Sequence, residues 1–413
     1  MTRRGDGEER SATGPASLRL FPPLPGLTRV LRVGSHVVAV ASLGGPDFVA
    51  TLRRIWDDGD ALAVVDPRLG AAARDRALRA LDPHVVIDPT GTRHRRAEAA
   101  DVDPEAAVVV ATSGTTGDAK AVVLSWSSVR ASADASSEAL EVDPARDVWL
   151  ANLPVAHVGG LSVVMRALLT GTGLLAQAGF SPDGVAEAVA AGATLVSLVP
   201  TTLARVDPQP FRRILLGGQA PPSDLPRNVV VTYGLTETGS GVVYDGRPLR
   251  GVEIRLGEQG EVLLRGPQVA QRYRDGTPVV DPEGWLHTGD VGILDAHGRL
   301  SVRGRLSEVI RSGGEKVWPS EVEGVLRRHP AIAEVAVAGR PDPLWGERVV
   351  AFVVPVAGGP PPLEELKELV SAEIAPWAAP KELHTVRALP RTAIGKVRRQ
   401  ELSAALANGT GPG

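Results

Sequence analysis

Residues Ala111–Lys120 read "ATSGTTGDAK" and lie between the apolar runs "AAVVV" (106–110) and "AVVL" (121–124). Two strand-like runs therefore flank a loop of hydroxyls, glycines and one lysine. Glycine lets a backbone turn tightly and approach a ligand closely. Hydroxyls and free N–H groups then face the occupant of the turn, and the lysine adds a point charge. That chemistry suits a polyphosphate, although the same composition serves an ordinary hairpin turn. From Gly114 the order is G-x-x-G-x-x-K, which fails the G-x-x-x-x-G-K-[ST] spacing of a Walker A loop. The rest of the chain must decide.

Upstream, "VVAVASL" and "ALAVVDP" read as strands and "AAARDRALRAL" has helical spacing. Downstream, "SWSSVRASADASSEAL" predicts a helix entered at a serine cap. A strand "VWLANLP", a buried helix "GGLSVVMRALLTG" and strands "TLVSLVP" and "RRILLGG" follow. This alternation predicts an α/β domain with a largely parallel sheet. After Tyr233 the texture changes to short segments spaced by glycine, "GVEIRL", "GEVLLRG" and "RLSVRGR", which predict antiparallel β-structure. From about Glu308 a smaller α+β unit is expected: a helix from Ser320 to Arg328, strands "EVAVAG" and "RVVAFVVP", and a helix across "PLEELKELVSAEI". The expected division is a polar tail over 1–17, a large domain over 18–306, a small domain over 307–405 and a second tail over 406–413.

The 413 residues are 43% hydrophobic and 23% charged with a net charge of −3, the balance of a soluble protein with ample core. Such a charge offers nothing to attract nucleic acid or an anionic membrane. No cysteine is present, which excludes disulfides, thiolate metal sites and a cysteine nucleophile. The tail "MTRRGDGEERSATGPAS" lacks the apolar segment of a signal peptide, and no apolar run is long enough to span a bilayer. A cytoplasmic location is the expectation, with homo-oligomer formation left open.

Further along come "LLGGQA" (215–220), "VTYGLTETG" (231–239), "GWLHTGD" ending at Asp290, "GRLSEVIRSGGEKVWPSEVE" (304–323) and "LPRTAIGKVRRQEL" (389–402). Each alone has a plain reading: a turn aspartate, a solvated glutamate, a basic surface cluster. In this order, and with the opening loop, they resemble the adenylate-forming superfamily of acyl- and aryl-CoA synthetases, adenylation domains and luciferases. The resemblance runs from about Ala111 to Leu402. It implies a large N-terminal domain with αβ layers and a β-rich part, a small mobile α+β C-terminal domain, and an active site between them. The implied reaction joins a carboxylate to ATP as an acyl-adenylate, releases pyrophosphate, and passes the acyl group to a thiol.

Carried over by motif, Thr112, Ser113, Gly114, Thr115, Thr116, Gly117 and Lys120 correspond to the loop that holds the β- and γ-phosphates. Here Ala119-Lys120-Ala121 stands where relatives usually have Pro-Lys-Gly. Gly218, Gln219 and Ala220, with Tyr233 as a flat aromatic, correspond to the adenine pocket. Thr236 is implied to bond the α-phosphate and Glu237 to hold Mg²⁺, a hard cation that prefers oxygen. Asp290 matches the aspartate that accepts from the ribose hydroxyls, and Arg305 the arginine beside it. Lys396 matches the lysine between substrate carboxylate and α-phosphate, where a cation stabilises developing charge. Ser307 stands at the hinge. Gly313, Gly314, Glu315 and Lys316, after Ser312, correspond to the loop that enters the site for thioester formation with CoA.

The stretch "LPVAHVGGLSVVMRALLTG" (153–171) is further similar to the o-succinylbenzoate–CoA ligases of menaquinone synthesis. It implies that His157, Gly159, Gly160 and Arg166 line the acid pocket. From the residues alone, Arg166 reads more readily as a core arginine paired with a structural carboxylate or snorkelling to solvent. Other expectations stay open beside this one: another aryl or short acyl acid, a carrier-protein acceptor in place of CoA, or a non-catalytic nucleotide sensor.

Overall fold

In the computed structural model the described residues are 20–21, 36–96, 98–112, 119–222, 224–356, 358–391 and 397–407. The polar tail over 1–17, Ser113, Gly114, Thr115, Thr116, Gly117 and Lys396 lie outside them.

The N-terminal part contains two mixed sheets. In the first, strands Val37–Ala41, Ala61–Val65 and Ala106–Thr112 run parallel, as does Val85–Ile87 beside Val37–Ala41. Side chains alternate across this sheet, so Val38, Val40, Leu62 and Val64 enter one core while Val37, Ala39, Ala61 and Ala63 enter another. Burial of both faces explains why these strands read as unbroken apolar runs. Helices Pro46–Asp57 and Ala71–Leu81 follow the first two strands.

The edge of this sheet is antiparallel. Ala106–Thr112 folds back onto Lys120–Ser125, with Thr112 opposite Lys120, and Arg272–Tyr273 adds beyond it.

The second sheet has parallel strands Gly173–Ala176, Val148–Ala151, Leu195–Leu198, Arg213–Leu216 and Val229–Leu235, extended antiparallel by Ser240–Tyr244. Trp149 and Ala151 face the main core, whereas Leu150 joins a smaller one on the other side. Helix Trp126–Ala139 starts as expected at a serine: the Ser125 side chain accepts from the Ser128 N–H. Helix Val158–Thr170 is buried nearly all round, which its sequence announced by lacking a polar face. Gly160 admits it to this position, because a Cβ there would stand 2.5 Å from the Pro154 carbonyl oxygen.

Beyond residue 250, strands Glu253–Leu256, Glu261–Arg265, Leu286–Leu294 and Leu300–Arg305 form the expected antiparallel sheet. Strands from Ile310 onward make a separate sheet around Ile332–Asp342 and Gly346–Pro355. Glu382–Thr385 lies parallel to Gly346–Pro355, with helix Leu363–Glu373 between them in the chain, which is the βαβ unit expected. Helix Pro319–Leu326 packs on the face carrying Val335, Val337 and Val349. Leu402 of helix Arg399–Ala407 packs on the opposite face with Ala336 and Phe352. Glu323 is buried between these layers, bonded to the Val337 N–H and to both Arg399 and Arg327. Among the described residues no helix is long and apolar enough to cross a membrane.

Candidate active site

Open parallel sheets bind ligands beyond the carboxyl ends of their strands, and Gly218, Gln219, Ala220, Tyr233, Thr236 and Glu237 lie at or just after the carboxyl ends of two adjoining strands of the second sheet. Leu216 pairs with Val231, so Gly218–Ala220 and Tyr233 lie just beyond one level on adjoining strands. Gly218 is exposed at φ +83°, and the Gln219 Nε2 has no hydrogen-bond partner among the described residues. Strand Val229–Leu235 then delivers the turn Thr236–Thr238, which carries Thr236 and Glu237. Gly234 makes that strand possible: an added Cβ would lie 2.1 Å from the Ser240 carbonyl oxygen on the paired strand.

Asp290 sits opposite Arg305 in the antiparallel ladder and is only 6% exposed. The Tyr233 hydroxyl donates to its Oδ2 at 2.8 Å, and Arg305 Nε meets its Oδ1 at 2.8 Å. Arg305 Nη1 also donates to the Thr288 carbonyl at 2.8 Å, which fixes the guanidinium. Burial, reinforced by the Asp290 charge, raises the Tyr233 pKa and keeps its proton in place as a donor. Tyr233 and Arg305 together fix the plane of the Asp290 carboxylate. Tyr233, expected only as a flat face for a base, is thus also the phenol that orients Asp290.

A second cluster surrounds Glu237. The Tyr273 hydroxyl donates to Glu237 Oε1 at 3.1 Å, and Lys120 Nζ lies 4.8 Å from the Tyr273 ring centroid. Among the described residues there is no group of three or more His, Cys, Asp or Glu able to hold a metal. A lone, hydrogen-bonded carboxylate is nevertheless a fitting Mg²⁺ ligand where substrate phosphates fill the other positions.

The third cluster is on helix Val158–Thr170. His157 is its N-cap residue, Gly159 is exposed at its first turn, and Gly160 is packed against the Leu153–Pro154 backbone. Arg166 is 2% exposed, its guanidinium 5.0 Å from the Trp149 ring centroid. Among the described residues its Nε and Nη1 find no hydrogen-bond partner, and no carboxylate forms an ion pair with it. Burial pushes the guanidinium below its ordinary pKa, yet arginine stays cationic. The core pairing that the residues alone left open is absent among the described residues.

In the C-terminal part, Ser307 is exposed within the turn Leu306–Glu308. The Gly313 N–H donates to the Trp345 carbonyl at 2.8 Å, and Lys316 Nζ reaches Gln259 Oε1 at 3.5 Å. Gly314 and Glu315 line the surface between these contacts. Arg399, on the helix that follows Lys396, bonds Glu308 at 2.7 Å beside the expected hinge.

Sequence reasoning missed Tyr273, Trp149 and Asn152. Tyr273 lies in a two-residue strand with no periodicity to announce it. Trp149 read as an ordinary strand residue. Asn152 is 1% exposed with neither amide atom hydrogen-bonded among the described residues; the only signal was a polar residue ending an apolar strand.

Comparison with known proteins places this geometry among relatives. The family described as AMP-binding enzyme matches residues 89–274, and the AMP-binding enzyme C-terminal domain matches residues 321–396. A probable 2-succinylbenzoate–CoA ligase of Mycobacterium tuberculosis is 37% identical over 376 residues, spanning 83% of this chain and 95% of the relative. The 2-succinylbenzoate–CoA ligase of Bacillus cereus is 36% identical over 338 residues, 72% of this chain and 70% of that protein. Among solved structures, o-succinylbenzoate CoA synthetase from Bacillus subtilis in complex with its acyl-adenylate intermediate superposes with a TM-score of 0.79. It is 28% identical and covers 89% of this chain and 88% of its own.

Proposed function

Because the chain belongs to the AMP-binding enzyme family, we propose that it is an ATP-dependent acid–CoA ligase that activates 2-succinylbenzoate, the step implied for menaquinone synthesis. In the first half-reaction the succinyl carboxylate attacks the α-phosphorus of ATP. A carboxylate–phosphorus bond forms, the bond to the β-phosphate oxygen breaks, and pyrophosphate leaves. In the second, the CoA thiol gives its proton to solvent and its sulfur attacks the acyl carbon; a carbon–sulfur bond forms, the acyl carbon–oxygen bond to phosphate breaks, and AMP leaves. No protein nucleophile is required, in keeping with a chain that has no cysteine.

The roles are those the family resemblance implies, supported by the contacts around Asp290 and Glu237. Asp290, oriented by Tyr233 and Arg305, takes the ribose hydroxyls. Gly218, Gln219 and Ala220 border the base. Thr236 faces the α-phosphate, Lys120 and the hairpin connection hold the outer phosphates, and Glu237 presents an oxygen to Mg²⁺. When bound, the metal neutralises phosphate charge. Lys396 stabilises negative charge where carboxylate and α-phosphate meet. Rotation about Ser307 exchanges Lys396 for the Gly313–Lys316 loop between half-reactions. ATP and CoA are intracellular substrates, and on that ground the enzyme works in the cytoplasm.

The observation that carries the choice of acid is Arg166, a buried cation without an anionic partner among the described residues. 2-Succinylbenzoate is a dianion whose ring carboxylate takes no part in the chemistry. That group supplies the missing partner, and a guanidinium fork suits a carboxylate. The test is a carboxylic-acid panel assayed for pyrophosphate release with and without CoA. The expected outcome is strong preference for 2-succinylbenzoate over 4-phenylbutyrate and benzoate. Preference for a monocarboxylic acid would overturn the substrate assignment and leave acyl-adenylate formation standing.

A further inference from the structure

Tyr273 touches two groups assigned to the triphosphate end of the site. Strand Arg272–Tyr273 pairs with Lys120–Ser125 so that Tyr273 lies opposite Val122. Val122 shares a face with Lys120, two residues away, and the Tyr273 ring therefore lies diagonally beneath the lysine. From there its hydroxyl reaches Glu237. The Ala270 N–H donates to the Glu237 carbonyl at 2.8 Å, so one segment holds this residue by backbone and side chain together.

A two-residue edge strand would be mobile without an anchor, and Arg274 supplies one. Its backbone N–H donates to Ala121 O at 2.7 Å. Its buried guanidinium donates to the carbonyls of Asp101 at 2.8 Å, Asp82 at 3.1 Å and Leu81 at 3.3 Å, and to that of Ala100. These acceptors belong to the end of helix Ala71–Leu81 and the segment before strand Ala106–Thr112. Tyr273 is thereby fixed to the body of the domain rather than to the ligand.

We propose that Tyr273 is a positioning residue for adenylation, acting through Glu237 and Lys120. The phenol bonded to Oε1 fixes the carboxylate plane and presents the other oxygen to the cation, the one-oxygen mode suited to Mg²⁺ already bound by phosphates. The ring holds the ammonium near the outer phosphates by cation–π attraction. The inference rests on the assignment of Glu237 to the metal made above.

Calorimetric titration with a non-hydrolysable α,β-methylene ATP, with and without Mg²⁺, tests it on the full chain. Tyr273→Phe removes one oxygen and keeps the ring. Its affinity for the Mg²⁺-bound analogue should fall about tenfold, the lower end of what loss of a metal ligand's hydrogen-bond partner costs, while metal-free affinity stays near wild type. Tyr273→Leu, with an unchanged melting temperature, should lose affinity in both conditions, because Lys120 loses its platform. Thioester formation from presynthesised acyl-adenylate should be untouched in both variants. Wild-type affinities in Tyr273→Phe would overturn the proposal, as would equal losses in both half-reactions. If wild-type binding ignores Mg²⁺, the Glu237 assignment itself fails and takes the proposal with it.

Discussion

Replacing Arg166 with methionine separates binding from folding, because the arginine is costly in the empty protein and useful only when an anion arrives. Its side chain is 2% exposed, and two of its donors lack partners among the described residues. An unsatisfied buried donor costs about 1–3 kcal/mol. The Trp149 contact returns about 0.5–2 kcal/mol. Methionine fills similar space without charge, so the ligand-free variant should be as stable as wild type or more stable by about 1–2 kcal/mol. Binding changes in the opposite sense. Losing a buried charge-assisted contact to the ring carboxylate costs about 2–5 kcal/mol, roughly thirtyfold to a few thousandfold in KM for 2-succinylbenzoate. KM for ATP should stay unchanged, and 4-phenylbutyrate should improve relative to the dianion. Steady-state pyrophosphate release with each acid, alongside calorimetric melting without ligand, reads both effects. A variant that melts lower and keeps its KM would show that the arginine serves the core, and the reasoning would be refuted.

Lys396→Ala should abolish acyl-adenylate formation, by about a hundredfold or more, while sparing thioester formation from presynthesised adenylate; equal losses in both would contradict its placement. Gly314→Leu should do the reverse. An added Cβ meets nothing within 4 Å, but the φ of +85° disfavours any side chain, so single-turnover pyrophosphate release should persist while CoA thioester falls. Gly234→Ala should lower the melting temperature and ATP affinity together, since its Cβ would meet backbone of the paired strand. Stability should fall on mild acidification through His84, whose Nδ1 accepts from the Val37 N–H at 3.1 Å. Burial lowers its pKa below 6.5, helped by the nearby His36 and Arg274 and opposed by Asp101. The unfolded chain then takes the proton first. This contribution is complete above about pH 6.5 and is lost as pH falls through that value toward the folded pKa. His84→Gln should flatten the pH dependence of the urea midpoint below pH 6.5.

Central strands such as Val37–Ala41 and Ala61–Val65 were readable because burial on both faces leaves unbroken apolar runs, and helix Val158–Thr170 because it carries no polar face. Ser125 showed the next helix start by its hydroxyl alone. Pairings between distant segments were not readable. Nothing local in "QRYRDG" indicates that Tyr273 lies beside Val122, a register set by the hairpin edge and by Arg274. The Tyr233 hydroxyl is a similar case, since its partner Asp290 arrives on a strand from another sheet. Arg166 could be read two ways from the residues. Only its surroundings show that, among the described residues, no carboxylate compensates it. For Asn152, buried with both amide atoms unbonded among the described residues, the structure shows no physical reason.

A single-turnover experiment tests the central claim most directly. Enzyme in excess is mixed with Mg²⁺, ATP and 2-succinylbenzoate, first without CoA and then with it, and products are identified by mass. The account predicts one equivalent of pyrophosphate with enzyme-bound succinylbenzoyl-adenylate, activated at the succinyl carboxylate, followed on CoA addition by AMP and the CoA thioester. Absence of pyrophosphate with this acid, while a monocarboxylic acid supports it, would contradict the account.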